Sequence, residues 1–343
     1  MGDTYISCLF YAEERGEESA YPNAKGASSS SAAFQEVYWR SMLVFFSSSK
    51  RCNPDAKHLL FTNTQPPRQE WQDHFDRMGV EIVQLPYKSK PPKGYWGAWQ
   101  STFYIIDALE HLAGRVQEDD AVFVLDLDVA VVGNFRPMVQ KLRETGFLNL
   151  RVDYPEEHVV HGNSRRGLKA IFAELSGRTL DDVPEYLGGE IYGLLGRENI
   201  RAVHAEAVEA WQHCQERFAK GQPKFNTEEH LFSYVLWKMD KANDDASPFI
   251  KRIWTAATYR NVAATDLNLL IWHLPAEKKR GLFQLSHEVL RPDSRFWQVD
   301  LQGFKPYLGA YIGIPRRNFN RFAVDETKAI GKKVLTWARS LSK

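Results

Sequence analysis

The sequence predicts an α/β fold with a largely parallel central sheet. Short apolar runs alternate with helix-length segments through the first half of the chain, and this βαβ rhythm belongs to a doubly wound parallel sheet. An apolar strand then ends in two carboxylates, and ligands of open α/β sheets sit just beyond the carboxyl ends of strands. Neither an internal repeat nor a clean linker breaks the chain, which favours a single integrated domain. Its 343 residues suffice to bury a sizeable core.

In order, Tyr5–Tyr11 reads as a short buried strand, followed by a small-residue linker, Gly26–Ser31, that supplies an N-cap. Ala32–Ser48 carries Phe34, Val37, Tyr38, Leu43 and Phe46 and reads as a helix. His58–Thr62 and Val80–Leu85 read as strands around a helix at Arg68–Met78. Lys88–Trp99 is a Pro/Gly/aromatic loop, and Gln100–Leu112 a helix. The Ala121–Gly133 line holds a buried strand whose C-terminal end carries Asp126 and Asp128, with apolar residues resuming after Asp128. Farther on, Gly188–Leu195 reads as a strand opened by two glycines, and Glu198–Lys220 and Thr227–Met239 as helices, the latter with Thr227 as N-cap. Leu269–Leu274 is a short strand ending at His273, and Asp325–Leu341 is an amphipathic helix bearing Lys328, Lys332, Lys333 and Arg339.

Composition narrows the function classes. Lys+Arg is 44 and Asp+Glu 43, a net charge of +1, which excludes a strongly basic nucleic-acid clamp. Charged residues at 25% and apolar residues at 43% exclude wholesale disorder. Cys8, Cys52 and Cys214 are too few and too widely spaced for a disulfide framework or a zinc pattern. The N-terminus lacks the basic n-region of a signal peptide and no run is long enough for a membrane span, so a cytoplasmic setting is expected.

Asp126 and Asp128 carry the chemistry. Ionised carboxylates are expensive to bury without a partner. Two of them interrupting an apolar strand point to a divalent cation, and hard oxygen ligands suit Mg²⁺ or Mn²⁺. Such an ion neutralises a diphosphate as it leaves. The alternative is a strand end whose aspartates cap loop amides. Two enzyme classes place Asp-x-Asp after an apolar strand: nucleotide-sugar glycosyltransferases, and haloacid-dehalogenase-type phosphohydrolases that pass through an aspartyl phosphate. The second class usually carries Thr or Val two residues after the second Asp, where this chain has Ala130.

Downstream stand Tyr186-Leu-Gly188-Gly189-Glu190 and then Phe225-Asn-Thr-Glu228-Glu229-His230-Leu. With the Asp pair, these motifs resemble, in order and spacing over about residues 120–240, the retaining GT-A-fold glycosyltransferases of the blood-group A/B and α-1,3-galactosyltransferase type. The resemblance implies a GT-A-like Rossmann-type α/β/α sandwich. It implies transfer of a hexosyl unit, with retention, from a nucleoside-diphosphate sugar, by preference a UDP-sugar, to a glycan or glycolipid hydroxyl. Asp126 and Asp128 would hold the metal and the donor, Gly188 and Gly189 would let the chain approach the donor sugar, and Glu228 would lie beneath the anomeric carbon. Thr227 stands where those enzymes carry Asp and Glu229 where they carry Ser, so Glu228, Glu229 and Glu190 all remain catalytic candidates. Ile271-Trp-His273-Leu-Pro-Ala-Glu-Lys278-Lys279 is similar to the closing segment of glycogenin-like enzymes. That likeness implies His273 as third metal ligand and Lys279 as the cation on the diphosphate.

The remaining expectations concern recognition and layout. Tyr11, at the end of the first strand, would meet the nucleobase. Trp96, Trp99 and His230 would contact the acceptor. Residues 1–283 would form the catalytic domain, with a nucleotide-binding half at 1–133 and an acceptor half at 134–283, and 284–343 would be an extension packed on it. The basic terminal helix offers peripheral contact with an anionic membrane. A sugar-binding protein on a transferase fold, without catalysis, is the non-enzymatic alternative.

Overall fold

The computed structural model of the chain describes residues 2–21, 27–256, 258–317, 322 and 327. The helix expected at Asp325–Leu341, and with it the membrane contact, lies outside the described residues except for Thr327. Two compact units interleave along the sequence: Met1–Glu36, Asp55–Leu127 and Phe135–Pro248 form the first, and Val37–Pro54, Asp128–Asn134 and Phe249–Lys343 the second.

The strands are β1 (Thr4–Phe10), β2 (Lys57–Thr62), β3 (Val80–Gln84), β4 (Ala121–Leu125), β5 (Val129–Val131), β6 (Phe147–Arg151), β7 (Val159–Val160), β8 (Asn163–Ser164), β9 (Leu187–Leu195), β10 (Ile250–Arg252), β11 (Thr255–Ala256), β12 (Tyr259–Arg260) and β13 (Ile271–His273). The helices are α1 (Ala32–Cys52), α2 (Gln69–Met78), α3 (Tyr104–Arg115), α4 (Arg136–Thr145), α5 (Arg165–Ser176), α6 (Gly196–Ala219), α7 (Glu228–Lys238), α8 (Gly281–Leu290), α9 (Arg295–Gln298) and α10 (Leu301–Ile312).

The first unit is built on a six-stranded sheet ordered β3-β2-β1-β4-β9-β6. Strands β1 to β4 pair in parallel, as the βαβ rhythm requires, whereas β9 runs antiparallel to both β4 and β6. Period-2 alternation sends Val122 and Val124 of β4, with Tyr5, Leu59, Phe61 and Tyr192 from neighbouring strands, into one core with α3, α6 and α7. There Phe103 packs on Trp211 at 4.4 Å between ring centroids. Helix α2 buries Trp71 and Phe75 and stops at Gly79, whose φ of +65° is the left-handed conformation that ends helices. The helix expected from Gln100 begins as a 3-10 turn, Gln100–Phe103, before α3 takes over. Thr227 does occupy the N-cap position of α7, but its side chain makes no capping bond.

The second unit carries a three-stranded sheet ordered β10-β13-β5. Strand β13 pairs antiparallel with β5, His273 opposite Val129. The three cysteines are free and buried, Cys8 and Cys214 in the first unit and Cys52 in the second. Among the described residues no helix is long and apolar enough to cross a membrane.

Candidate functional site

Asp128 is the first residue of the segment that the second unit draws from the middle of the chain, and it is completely buried. The β13–β5 register brings His273 beside it: the Leu274 amide donates to the Asp128 carbonyl at 2.9 Å, and His273 Nε2 lies 3.4 Å from Asp128 Oδ1. Lys278 Nζ pairs with the other carboxylate oxygen. Burial alone would raise the Asp128 pKa, but Lys278 and His273 outweigh it and hold the carboxyl far below its ordinary range. Asp128 Oδ1 nevertheless accepts no hydrogen bond. A buried carboxylate oxygen facing an imidazole nitrogen is a donor set suited to a hard or borderline divalent ion. Asp128 and His273 are thus candidate metal ligands within the second unit, and Asp126 is joined to Asp128 through Leu127 alone.

Within the first unit, Asp126 follows β4, and its amide donates to the Glu190 carbonyl on β9 at 3.1 Å. Beside it lies a carboxylate cluster. The Tyr192 hydroxyl feels Glu228, Glu229, Glu190 and Asp126, and burial followed by these charges raises its pKa well above the ordinary phenol value. The two adjacent glutamates at the start of α7 differ sharply. Glu229 is buried and saturated: Oε1 accepts the Gly189 amide at 3.1 Å, and Oε2 lies 2.6 Å from the Tyr186 hydroxyl and 3.1 Å from His161 Nε2. Glu228 has an enclosed oxygen, Oε2, without a hydrogen-bond partner. Burial, then the charge of Glu229, pushes the Glu228 pKa up to about 7, against the opposing influence of Thr102 and His161.

The two glycines let these carboxylates pack against the β9 backbone. A Cβ on Gly189 would stand 2.8 Å from Glu228 Oε1, and one on Gly188 would stand 2.0 Å from Glu190 Oε2. Any side chain at either position would therefore displace a carboxylate. Glu190 itself is fully buried on β9.

No protein-family model matches the chain, and no curated protein matches it in sequence. Solved structures do. The apo bifunctional glycosyltransferase WbbM superposes with a TM-score of 0.50 at 8% identity, covering 88% of this chain and 52% of that one. The galactosyltransferase LgtC, solved with donor and acceptor sugar analogues, gives 0.47 at 12% identity, covering 91% of this chain and 97% of LgtC. Mouse xyloside xylosyltransferase 1 in its apo form gives 0.46 at 12% identity, covering 80% and 99%. The fold is the GT-A glycosyltransferase fold.

On this GT-A frame the other expected residues fall in distinct places. Tyr11 follows β1 in an aromatic nest, its ring 4.7 Å from that of Tyr87 and 5.5 Å from that of Tyr104. Its hydroxyl donates to Glu17 at 3.1 Å and accepts from Lys90 at 3.3 Å. Trp99 and Trp96 are half-buried and lie against the β7–β8 turn: the Trp99 ring is 4.7 Å from His161, and Trp96 lies under Gly162. His230 is fully buried, its Nδ1 accepting the Asn226 amide at 3.2 Å and its Nε2 3.2 Å from the Val160 carbonyl. Burial lowers its pKa to about 3, so it stays neutral. Two residues beyond the sequence reading emerge. Lys278, next to the expected Lys279, is the cation on Asp128, and His161 touches Glu229.

Proposed function

We propose that the protein is a metal-dependent glycosyltransferase that moves a hexosyl unit from a nucleoside-diphosphate sugar, by preference a UDP-sugar, to a glycan or glycolipid hydroxyl with retention. The observation that carries the reading is the asymmetry of the α7 carboxylates: Glu229 is held by three neighbours while Glu228 keeps an oxygen without a hydrogen-bond partner.

Asp126, Asp128 and His273 would hold Mn²⁺ or Mg²⁺, which when bound supplies charge neutralisation to the donor diphosphate. Lys278 keeps Asp128 ionised and so ready to ligate, and Lys279 is assigned to the diphosphate. Gly188 and Gly189 admit the donor sugar over Glu228. As the bond to the departing diphosphate stretches, positive charge develops at the anomeric carbon, and the Glu228 carboxylate supports it. With its pKa near 7, Glu228 is partly ionised at neutral pH. Tyr11 is assigned to the nucleobase, and Trp96 and Trp99 to the acceptor, with stacking on a sugar face as their contribution.

The phosphohydrolase alternative needs the second aspartate as a proton donor. Asp128 is held ionised by Lys278 and His273, which opposes that role. The test is turnover of a panel of UDP- and GDP-hexoses with and without MnCl₂, scored for free nucleoside diphosphate. Release that requires both metal and nucleotide sugar is the expected result. Metal-dependent cleavage of phosphate monoesters with no response to any nucleotide sugar would overturn it.

A further inference from the structure

Among the described residues only three non-glycine residues have positive φ: Trp99 (+48°), His161 (+49°) and Asp240 (+57°). Two of these, Trp99 and His161, pack on each other, ring centroids 4.7 Å apart at 73°, beside the α7 glutamates. His161 and Gly162 (φ +84°) are the two loop residues of the β7–β8 hairpin, whose strands close with Val160 opposite Asn163. Positive φ at both loop residues is the pattern of a type I′ turn, whose first position favours Asn, Asp or Gly. Histidine there costs about 1–2 kcal/mol of backbone strain.

The surroundings hold the strained turn in place. The Asn226 side chain donates to the His161 carbonyl at 2.9 Å, and Asn163 donates to the Lys224 carbonyl at 3.0 Å. A Cβ on Gly162 would lie 2.4 Å from the Trp96 ring, so the loop is seated on that indole. The imidazole is thereby aimed at Glu229, with Nε2 3.1 Å from Oε2.

We propose that His161 is a positioning residue for sugar transfer: with the Gly189 amide and the Tyr186 hydroxyl, its imidazole anchors the Glu229 carboxylate so that the neighbouring Glu228 presents its open oxygen to the donor sugar. The assignment rests on the reading of Glu228 given above. Without His161, one of the three anchors is gone, and the Glu229 carboxylate can swing towards Glu228. Two adjacent carboxylates would then compete for one proton and one position. The titratable groups facing Glu228 are Glu229 from α7, His161 from the hairpin, Tyr192 from β9 and Tyr87 from the loop after β3. Glu190 of β9 and Asp126 after β4 face the same Tyr192 hydroxyl.

The variant that separates function from folding is His161→Asn. Asparagine suits the turn, so the hairpin should fold as well as before or better, but its side chain is too short to reach Glu229. The full-length His161→Asn protein should keep its thermal midpoint and its affinity for UDP with MnCl₂, while kcat falls about 10–100-fold. His161→Gln, which retains a donor of longer reach, should recover part of that loss. Titration of the Glu228 carboxyl by ¹³C NMR supplies a readout independent of turnover: with the opposing influence of His161 removed, its midpoint should move to higher pH in His161→Asn. An unmoved Glu228 titration, or a His161→Asn enzyme with wild-type kcat, overturns the proposal. Wild-type protein that turns over no nucleotide sugar would instead strike the proposed function, and the titration would still decide what His161 does.

Discussion

Two buried carboxylates in this protein meet opposite fates. Asp128 lies between an ammonium and an imidazole, and its carboxyl is held far below the ordinary range. Glu228 lies beside another glutamate, and its carboxyl is pushed up to about 7. Burial acts on both in the same direction, raising the pKa, so the sign of the neighbouring charge decides the outcome. One carboxylate is therefore a permanent anion suited to a cation, and the other trades a proton near neutrality.

Breaking the first environment should cost both affinity and stability. Asp128→Asn should lower affinity for UDP with MnCl₂ by more than about 100-fold by calorimetry. It also strands the Lys278 ammonium, so a stability loss of about 3 kcal/mol is expected in urea unfolding. Asp128→Asn with Lys278→Met should recover stability but not affinity. Wild-type affinity in the single variant would remove Asp128 from the metal site.

The second environment is sharpened by treating the two glutamates separately. Glu228→Gln should leave UDP affinity unchanged and reduce kcat about 10³-fold. Glu229→Ala should act mainly on stability, losing about 2–3 kcal/mol because the Gly189 amide and the Tyr186 hydroxyl lose their acceptor. If Glu229→Gln or Glu190→Gln abolishes turnover while Glu228→Gln does not, the catalytic assignment moves but the fold stands.

Smaller effects test the packing of Gly189 against the pair. Gly189→Ala places a methyl group 2.8 Å from Glu228 Oε1. It should raise the donor KM about tenfold at a stability cost of about 1–3 kcal/mol. The smallest effect is on stability against pH. Folding raises the Glu228 pKa from 4.5 to about 7, so the native state binds the extra proton. Its stabilising contribution is complete below pH 4.5 and fades as pH rises through 7. Glu228→Gln should therefore raise the thermal midpoint by about 2–4 °C at pH 8 relative to wild type, and by less at pH 5. An equal change at both pH values would show that Glu228 carries no such proton.

The strongly patterned parts of this architecture were legible in the chain. The apolar runs of β1, β2 and β4 were legible because each is buried along most of its length. Asp126 and Asp128 stood out because two carboxylates interrupting an apolar strand demand an explanation, whereas His273 was singled out through the likeness of its segment to glycogenin-like enzymes. The 3-10 turn at Gln100–Phe103 did not show, since Trp99 ahead of it adopts a left-handed conformation that its residue type disfavours. The β7–β8 hairpin was invisible because two-residue strands carry no alternation and His-Gly is not a usual turn pair. His161 was missed with it. Lys278 and Lys279 are neighbours in a short connection without a period, so which of them faces Asp128 is a tertiary outcome.

The three free thiols offer an internal clock for opening. Cys8 and Cys214 sit in the first unit and Cys52 in the second, all buried. Burial raises the Cys8 pKa well above its ordinary value and pushes those of Cys52 and Cys214 up to about 11. Native protein should therefore resist an alkylating reagent, each label marking an excursion of one unit. The order in which mass tags accumulate would tell which half of the molecule loosens first, with no engineered probe.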